Sequence, residues 1–496
     1  MSDFKDVIST HCVRLYGLCL FTINPDYKKY VLNRRFLGRL NMEATWMEET
    51  LDSVGARNSE EWFPFREGVS AIKLFSTVTY DVLHVSNSFV NYQLIKSDNN
   101  FESDILRVKE DLYDAIVKAS SYLVKRAKKC GIHSKGVESI DPQEFSDIDF
   151  MVKLERDRRL RHIDNPGKSL IYLATEFLNL KPELSLFHDL SNLKKADYRN
   201  FIPESVSEEK LRLVLVRFHN LQSLYDTYLS ESDIESADSR LKVLRGHISF
   251  IFHMLKSATD FSHYYERHIV PRKTSIFFSS LLPIPVDRFL EITISFFMVY
   301  LIEYFDGAEK LCRDVINSYA EIGEVTVSIP PYRGFHVRPS SLVSKIINYY
   351  GGEVRMFVNN VEYDPSTPLE LFRVNEEINA LKRKKLFEYV YSNGLEGLEL
   401  KSLIETLAKQ DLVVIYSDDF ELNGIGNNDS AQDYLKNSIS FLLASGKIDI
   451  KMDIKVKFIG DKRSLNDIQL LSENGYGEDK YGNNIPLPKK LFYFRR

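Results

Sequence analysis

Cysteine is scarce. Four thiols, Cys12, Cys19, Cys130 and Cys312, are scattered through 496 residues, which excludes a disulfide framework and a Cys-based zinc module. Cys12 and Cys19 are seven apart, a helix-face spacing rather than a redox or metal motif, and reduced thiols of a cytoplasmic protein are expected. The opening "MSDFKDVIST" lacks the basic-then-apolar pattern of a secretory leader. The longest apolar run, "ITISFFMVYLI" at 292–302, is bracketed by Glu291 and Glu303 and falls well short of the roughly 20 residues of a spanning helix. It reads as a buried core helix, and no membrane insertion is expected. With 65 basic against 70 acidic residues the net charge is -5, so no broad basic footprint invites nucleic acid. Recognisable enzyme signatures are missing too. "HIDNPGKS" (162–169) ends like a phosphate-binding loop but has His162 where the first glycine is needed, and no dinucleotide fingerprint, nucleophile elbow or metalloprotease motif occurs. The expectation is therefore a chain without a cofactor or metal, and not a conventional enzyme.

What is present is material for large cores: 44% hydrophobic residues, with 32 Phe and 27 Tyr. The length suits two or three domains. Through residues 1–320 the apolar positions recur by threes and fours, as in Val69, Ile72, Phe75, Val78 and Val82, then Ile105, Val108, Leu112, Ile116 and Leu123. Such spacing predicts an all-α helical bundle, interrupted near 131–145 or 229–239 by interhelix loops or a subdomain boundary. "RDRRLRH" (156–162) reads as a solvated face or a dock for an acidic partner. "DFSHYYERH" brings Asp260, His263, Glu266 and His268 together without a metal-ligand pattern, and reads as a polar helix face.

The pattern changes at Gly323. "EVTVSIP" alternates as a strand, and Leu342, Val343, Ile346, Ile347 and Tyr350 follow at helical spacing up to Gly351 and Gly352. "EVRMFVNNVEY" reads as a hairpin turning at Asn359 and Asn360. In "STPLELF", Thr367 is placed as N-cap, with Pro368 in the first turn and Glu370 completing a capping box. Charged helical sequence from 376 to 409 carries Lys382, Arg383, Lys384 and Lys385. Next come a strand at 411–417, a helix at 429–446 capped by Asp429 or Ser430, and one long strand from Ile448 to Phe458.

Between the first strand and first helix lies "YRGFHVRPSS". A helix start offers unpaired N–H groups and the positive end of the dipole, so an anion beside His336 finds donors waiting. Arg338 adds a charge-assisted partner, Pro339 costs no hydrogen bond in the first turn, Gly334 permits close approach by a partner, and Ser340 supports the turn. Imidazole is a competent nucleophile near neutral pH, so this constellation suits a histidine that accepts a phosphoryl group.

In "EVTVSIP", "GFHVRPSSLVSKI", "EVRMFVNN", "STPLELF", "DLVVIYS" and "DYLKNSISFLL", in that order, residues 324 to about 446 resemble HPr, the histidine-containing phosphocarrier family of the bacterial sugar phosphotransferase system. That family runs strand, G-[LF]-H-x-R-P-[AS] helix, hairpin, short helix headed by a regulatory serine, last strand and last helix. The resemblance implies an open-faced β-sandwich in 324–496, with a helical insertion at about 376–409 and an extension at 447–496 that adds an extra C-terminal strand. It implies that His336 is the phosphoryl acceptor, Arg338 its phosphate partner, and Thr367, or else Ser366, the regulatory position. An Enzyme I-type phosphohistidine donor is the implied partner, with the bundle as sensor or effector toward a further protein. The alternative is an unphosphorylated HPr-like scaffold or interaction module.

Overall fold

The computed structural model describes residues 2–495 apart from 96–99, 133–136, 138, 147–164, 186, 188–189, 191–192, 273–281 and 418–430. The cluster at 156–162, the first three residues of "HIDNPGKS" and the caps Asp429 and Ser430 lie outside the described residues, while Asn165 caps the helix that "PGKS" begins. Two compact units emerge, residues 1–312 and 313–496.

The first unit is helical throughout its described residues. Its helices of ten or more residues are α1 (Ser2–Thr22), α2 (Arg34–Ser53), α3 (Phe63–Tyr92), α4 (Phe101–Lys129), α5 (Pro166–Leu178), α6 (Glu208–Tyr228) and α7 (Arg240–Tyr264), and α8 (Val299–Tyr319) contains the boundary. The expected stripes are the buried ones: Val69, Ile72, Phe75, Val78 and Val82 on α3, and Ile105, Val108, Leu112, Ile116 and Leu123 on α4. The segments 131–143 and 229–239 connect helices within this unit. The run at 292–302 is buried as expected, but its first part, Ile292–Met298, is wound as a π-helix before α8. Phe101 organises one core region, stacked on Phe296 at 5.6 Å and edge-on to Phe250 and Tyr300. Gly246 lets α7 pass the end of α3, since a Cβ there would overlap the Tyr92 carbonyl. No helix among the described residues is long and apolar enough to cross a membrane.

The second unit is built on a four-stranded antiparallel sheet of β1 (Ile322–Ser328), β2 (Val354–Val358), β3 (Val361–Tyr363) and β6 (Lys455–Asp461), in spatial order β1-β6-β2-β3. Its helices are α9 (Val337–Tyr350), α10 (Pro368–Ser392), α11 (Leu400–Lys409), α12 (Ala431–Ala444) and α13 (Lys462–Glu473), and a separate ribbon pairs β4 (Val413–Ile415) with β5 (Ile448–Ile450). Alternation puts Val327, Met356, Val358, Val456 and Phe458 on one face, where they meet Val343 and Ile347 of α9, Leu371 and Val374 of α10 and Leu465 of α13. The intervening positions form an open charged face, with Lys457–Glu324 at 2.5 Å and Arg355–Glu362 at 3.8 Å. Asn359 and Asn360 turn the hairpin with φ of 49° and 67°, the left-handed pair that such a turn demands. Gly351 ends α9 at φ 73°.

Several boundaries read from the sequence need correction. The strand expected at 411–417 is not the sheet's last strand, because Val413–Ile415 pairs only with Ile448–Ile450. The apparently continuous strand 448–458 is two strands that serve different sheets. At the break, the Lys451 N–H binds the Leu412 carbonyl and the Ile454 carbonyl accepts from Ile329. Far from being an extension, β6 lies in the middle of the sheet.

The second half of α10 shares a separate core with α11, β4, α12 and β5, built on Leu386, Val390, Leu403, Ile404, Leu407, Ile439, Leu442 and Ile448. The buried stripe of α10, Leu371, Val374, Ile378, Lys382, Leu386 and Val390, runs on from one core to the other, so the sequence carries no sign of where the helix changes partner. Lys382, part of the basic run in the charged helical sequence, is fully buried against Asp449 at 3.5 Å. Thr367 precedes α10 in extended conformation but makes no side-chain cap bond, and Glu370 pairs with Arg373 at 2.7 Å instead of closing a capping box.

Candidate functional site

His336 is the residue before the first turn of α9, with extended backbone (φ -80°, ψ -170°), and its carbonyl accepts the first helical bond from Ser340 at 3.1 Å. The chain reaches it through a strained corner: Arg333 and Gly334 have φ of 54° and 59°. Asn375 of α10 clamps this corner, accepting from the Phe335 N–H at 2.9 Å and donating to the Arg333 carbonyl at 3.0 Å. Gly334 thus allows close approach by the chain's own Asn375 rather than by a partner, since a Cβ would overlap the Asn375 carboxamide. Phe335 is buried edge-on to Tyr476, Pro339 is buried, and the buried Ser340 hydroxyl donates to the Phe335 carbonyl at 2.9 Å. Pro339 and Ser340 thus hold the corner by packing and one hydrogen bond.

The sequence gives no hint of what faces the imidazole. After α13 the chain turns through Gly475, Tyr476 and Gly477, all at positive φ, and residues 475–488 return as a strap. Tyr476 anchors it: the ring is buried and the hydroxyl donates to the Ser328 carbonyl at 2.8 Å. Glu478 and Asn484 form a bridge across the strap, and Asp479 closes its tip by accepting from the N–H groups of Tyr481 and Asn483 and from the Asn483 carboxamide. Those bonds, Asn483 first, hold the Asp479 carboxyl below its usual range.

Glu478 Oε2 lies 2.8 Å from His336 Nε2. The contact is close but off hydrogen-bond alignment, and Nε2 is shielded from solvent. The histidine side chain is nevertheless 24% exposed, so its exposure belongs to its other atoms. Arg338 donates from Nη1 to Asn484, while its Nε is buried without a hydrogen bond.

His336 and Arg338 each meet the strap, the first at Glu478 and the second at Asn484. Ser366 and Thr367 do not join them. The Ser366 carbonyl accepts from Ser344 and from Asn348 at 3.0 Å, about two and three turns along α9 from His336, and Thr367 is exposed. Sequence reasoning missed Asn375, Glu478 and Asn484, because each arrives from a distant element with no local motif. "DFSHYYERH" is also more than a polar face. Asp260, His263, Glu266 and His268 line a cavity of about 1040 Å³ in the first unit, and His268 is buried. No group of residues placed to hold a metal ion is present among the described residues.

No family model, curated protein or solved structure matches this chain.

Proposed function

We propose that the second unit is an HPr-like phosphoacceptor module in which His336 takes a phosphoryl group from an Enzyme I-type phosphohistidine donor. The observation that carries this is the Glu478 carboxylate at 2.8 Å from Nε2 of a partly exposed histidine at the mouth of α9. A carboxylate there favours the proton on Nε2, which leaves the lone pair on Nδ1 as the nucleophile. In the transfer, the P–N bond to the donor imidazole breaks as the bond to Nδ1 forms. The first-turn N–H groups of α9 and Arg338 then stabilise the anion. The element order supports the reading. With α11, β4, α12 and β5 set aside, the unit runs strand, helix, hairpin, helix, strand, helix, the order the resemblance implies, with Lys455–Asp461 as last strand and Lys462–Glu473 as last helix.

One observation favours a second reading, an unphosphorylated scaffold: the strap already engages both His336 and Arg338. Incubation of the full chain with phosphoenolpyruvate and Enzyme I, read by intact mass and acid lability, separates the two. One acid-labile phosphate on wild type and none on His336→Ala is expected, with Glu478→Gln slowed. No adduct while the same donor loads its authentic carrier refutes phosphotransfer. A Glu478→Ala variant that loads faster than wild type refutes the orienting role of Glu478 and makes the strap an inhibitor.

A further inference from the structure

The first unit holds a second chemical constellation, independent of His336. Glu67 and Ser70 are three residues apart on α3 and so share a face, and both are buried. His268 arrives from the π-turn Tyr265–Ile269 that follows α7. Its Nδ1 lies 3.1 Å from Glu67 Oε2 and its Nε2 3.5 Å from Ser70 Oγ. The imidazole is stacked on Tyr264 at 4.6 Å with planes 10° apart, which fixes its orientation. Ser70, His268 and Tyr264 line the cavity of about 1040 Å³, while Glu67 stands behind the histidine and off the lining. Arg66 bonds Glu67 at 3.1 Å and keeps a charged partner beside its carboxylate.

We propose that Ser70, His268 and Glu67 act as nucleophile, general base and orienting carboxylate in hydrolysis of a polar carboxylic ester bound in this cavity. Reciprocal geometry of this kind, not sequence order, identifies such a relay. With Nδ1–H donated to Glu67, Nε2 presents its lone pair to the Ser70 hydroxyl. The loose 3.5 Å separation is the geometry of an unliganded site. Arg66 and Lys73, about one turn either side of Ser70 on α3, also line the cavity and supply positive charge for a developing oxyanion. The charged walls select a polar ester rather than a fatty acyl chain. A π-turn carrying the base agrees with the frequent placement of such turns at functional sites.

In the first step Ser70 Oγ bonds to the carbonyl carbon and its proton passes to His268 Nε2. The ester C–O bond breaks, and that proton leaves with the alcohol. Water then attacks the acyl-serine, gives a proton to His268, and the carboxylic acid departs as Ser70 Oγ recovers the proton.

The test uses the full chain with a biotinylated fluorophosphonate, mapped by peptide mass spectrometry, together with p-nitrophenyl acetate turnover. The expected result is an adduct on Ser70, absent in Ser70→Ala, with His268→Ala lowering the labelling rate about 100-fold or more. Glu67→Gln, which keeps the side chain's shape but removes its charge, should weaken labelling and alter its pH profile. Tryptophan fluorescence melts confirm that each variant is folded, because Trp46 and Trp62, the only tryptophans, both lie in this unit. Folded wild type without an adduct on Ser70, or a folded His268→Ala labelled at the wild-type rate, overturns the proposal and leaves a structural polar network.

Discussion

Replacing Asp52 by asparagine perturbs the charged wall of the first unit without changing side-chain shape. Asp52 receives two hydrogen bonds from Arg66, both at 2.9 Å, and two from Arg57, at 3.0 and 2.8 Å. Burial raises its pKa, but the hydrogen bonds from Arg66 and then Arg57 outweigh that and bring it from 3.8 to about 2. Its side chain is 29% exposed, so solvent screening trims the interaction without removing it. A depression of this size corresponds to about 2 kcal/mol of stability at neutral pH. The sign follows from proton uptake: the folded pKa lies below the unfolded one, so the contribution is complete above pH 3.8 and is lost as pH falls through about 2. The assay is urea unfolding followed by tryptophan fluorescence, which reports residues 1–312 alone because Trp46 and Trp62 are its only sources. Asp52→Asn should cost about 2 kcal/mol at pH 7 and about 1 kcal/mol at pH 3. An equal cost at both pH values, or none at pH 7, refutes the assignment of that stability to the carboxylate charge.

Gly334→Ala forces a Cβ into a left-handed corner and onto Asn375. It should cost about 2 kcal/mol locally, read as faster hydrogen exchange in the first turn of α9, together with loss of phosphate loading on His336. Lys382→Met removes one partner of a fully buried pair and strands Asp449, at a cost of about 3 kcal/mol. Circular dichroism melts should show Lys382→Met/Asp449→Asn recovering most of that loss. Burial holds the Lys382 pKa below its usual value despite Asp449. The penalty for its charge is thus relieved as pH rises toward the unfolded pKa of 10.5, so the wild type should lose less stability than Lys382→Met as pH is raised toward that value.

Periodicity alone determined a good deal. The stripes Val69 to Val82 and Ile105 to Leu123, the alternation of Val354, Met356 and Val358, the Asn359-Asn360 turn and the Gly351 stop each depend on neighbours within a few residues, and each was legible. So was the placement of His336 at a helix mouth with Arg338 beside it, because capping and dipole effects are local. Partner choice was not legible. Two strand-like segments, 411–417 and 455–461, compete for the same sheet, and only the packing of Val456 and Phe458 against α9, α10 and α13 selects the second. Lys382 looks like a surface charge until Asp449 is brought to it from β5. The clamp by Asn375, the Glu478 carboxylate at His336, and the meeting of Ser70 with His268 all join residues far apart in the chain. Such contacts are fixed by how whole elements bury their faces, a sum over the entire core that no short stretch of sequence contains.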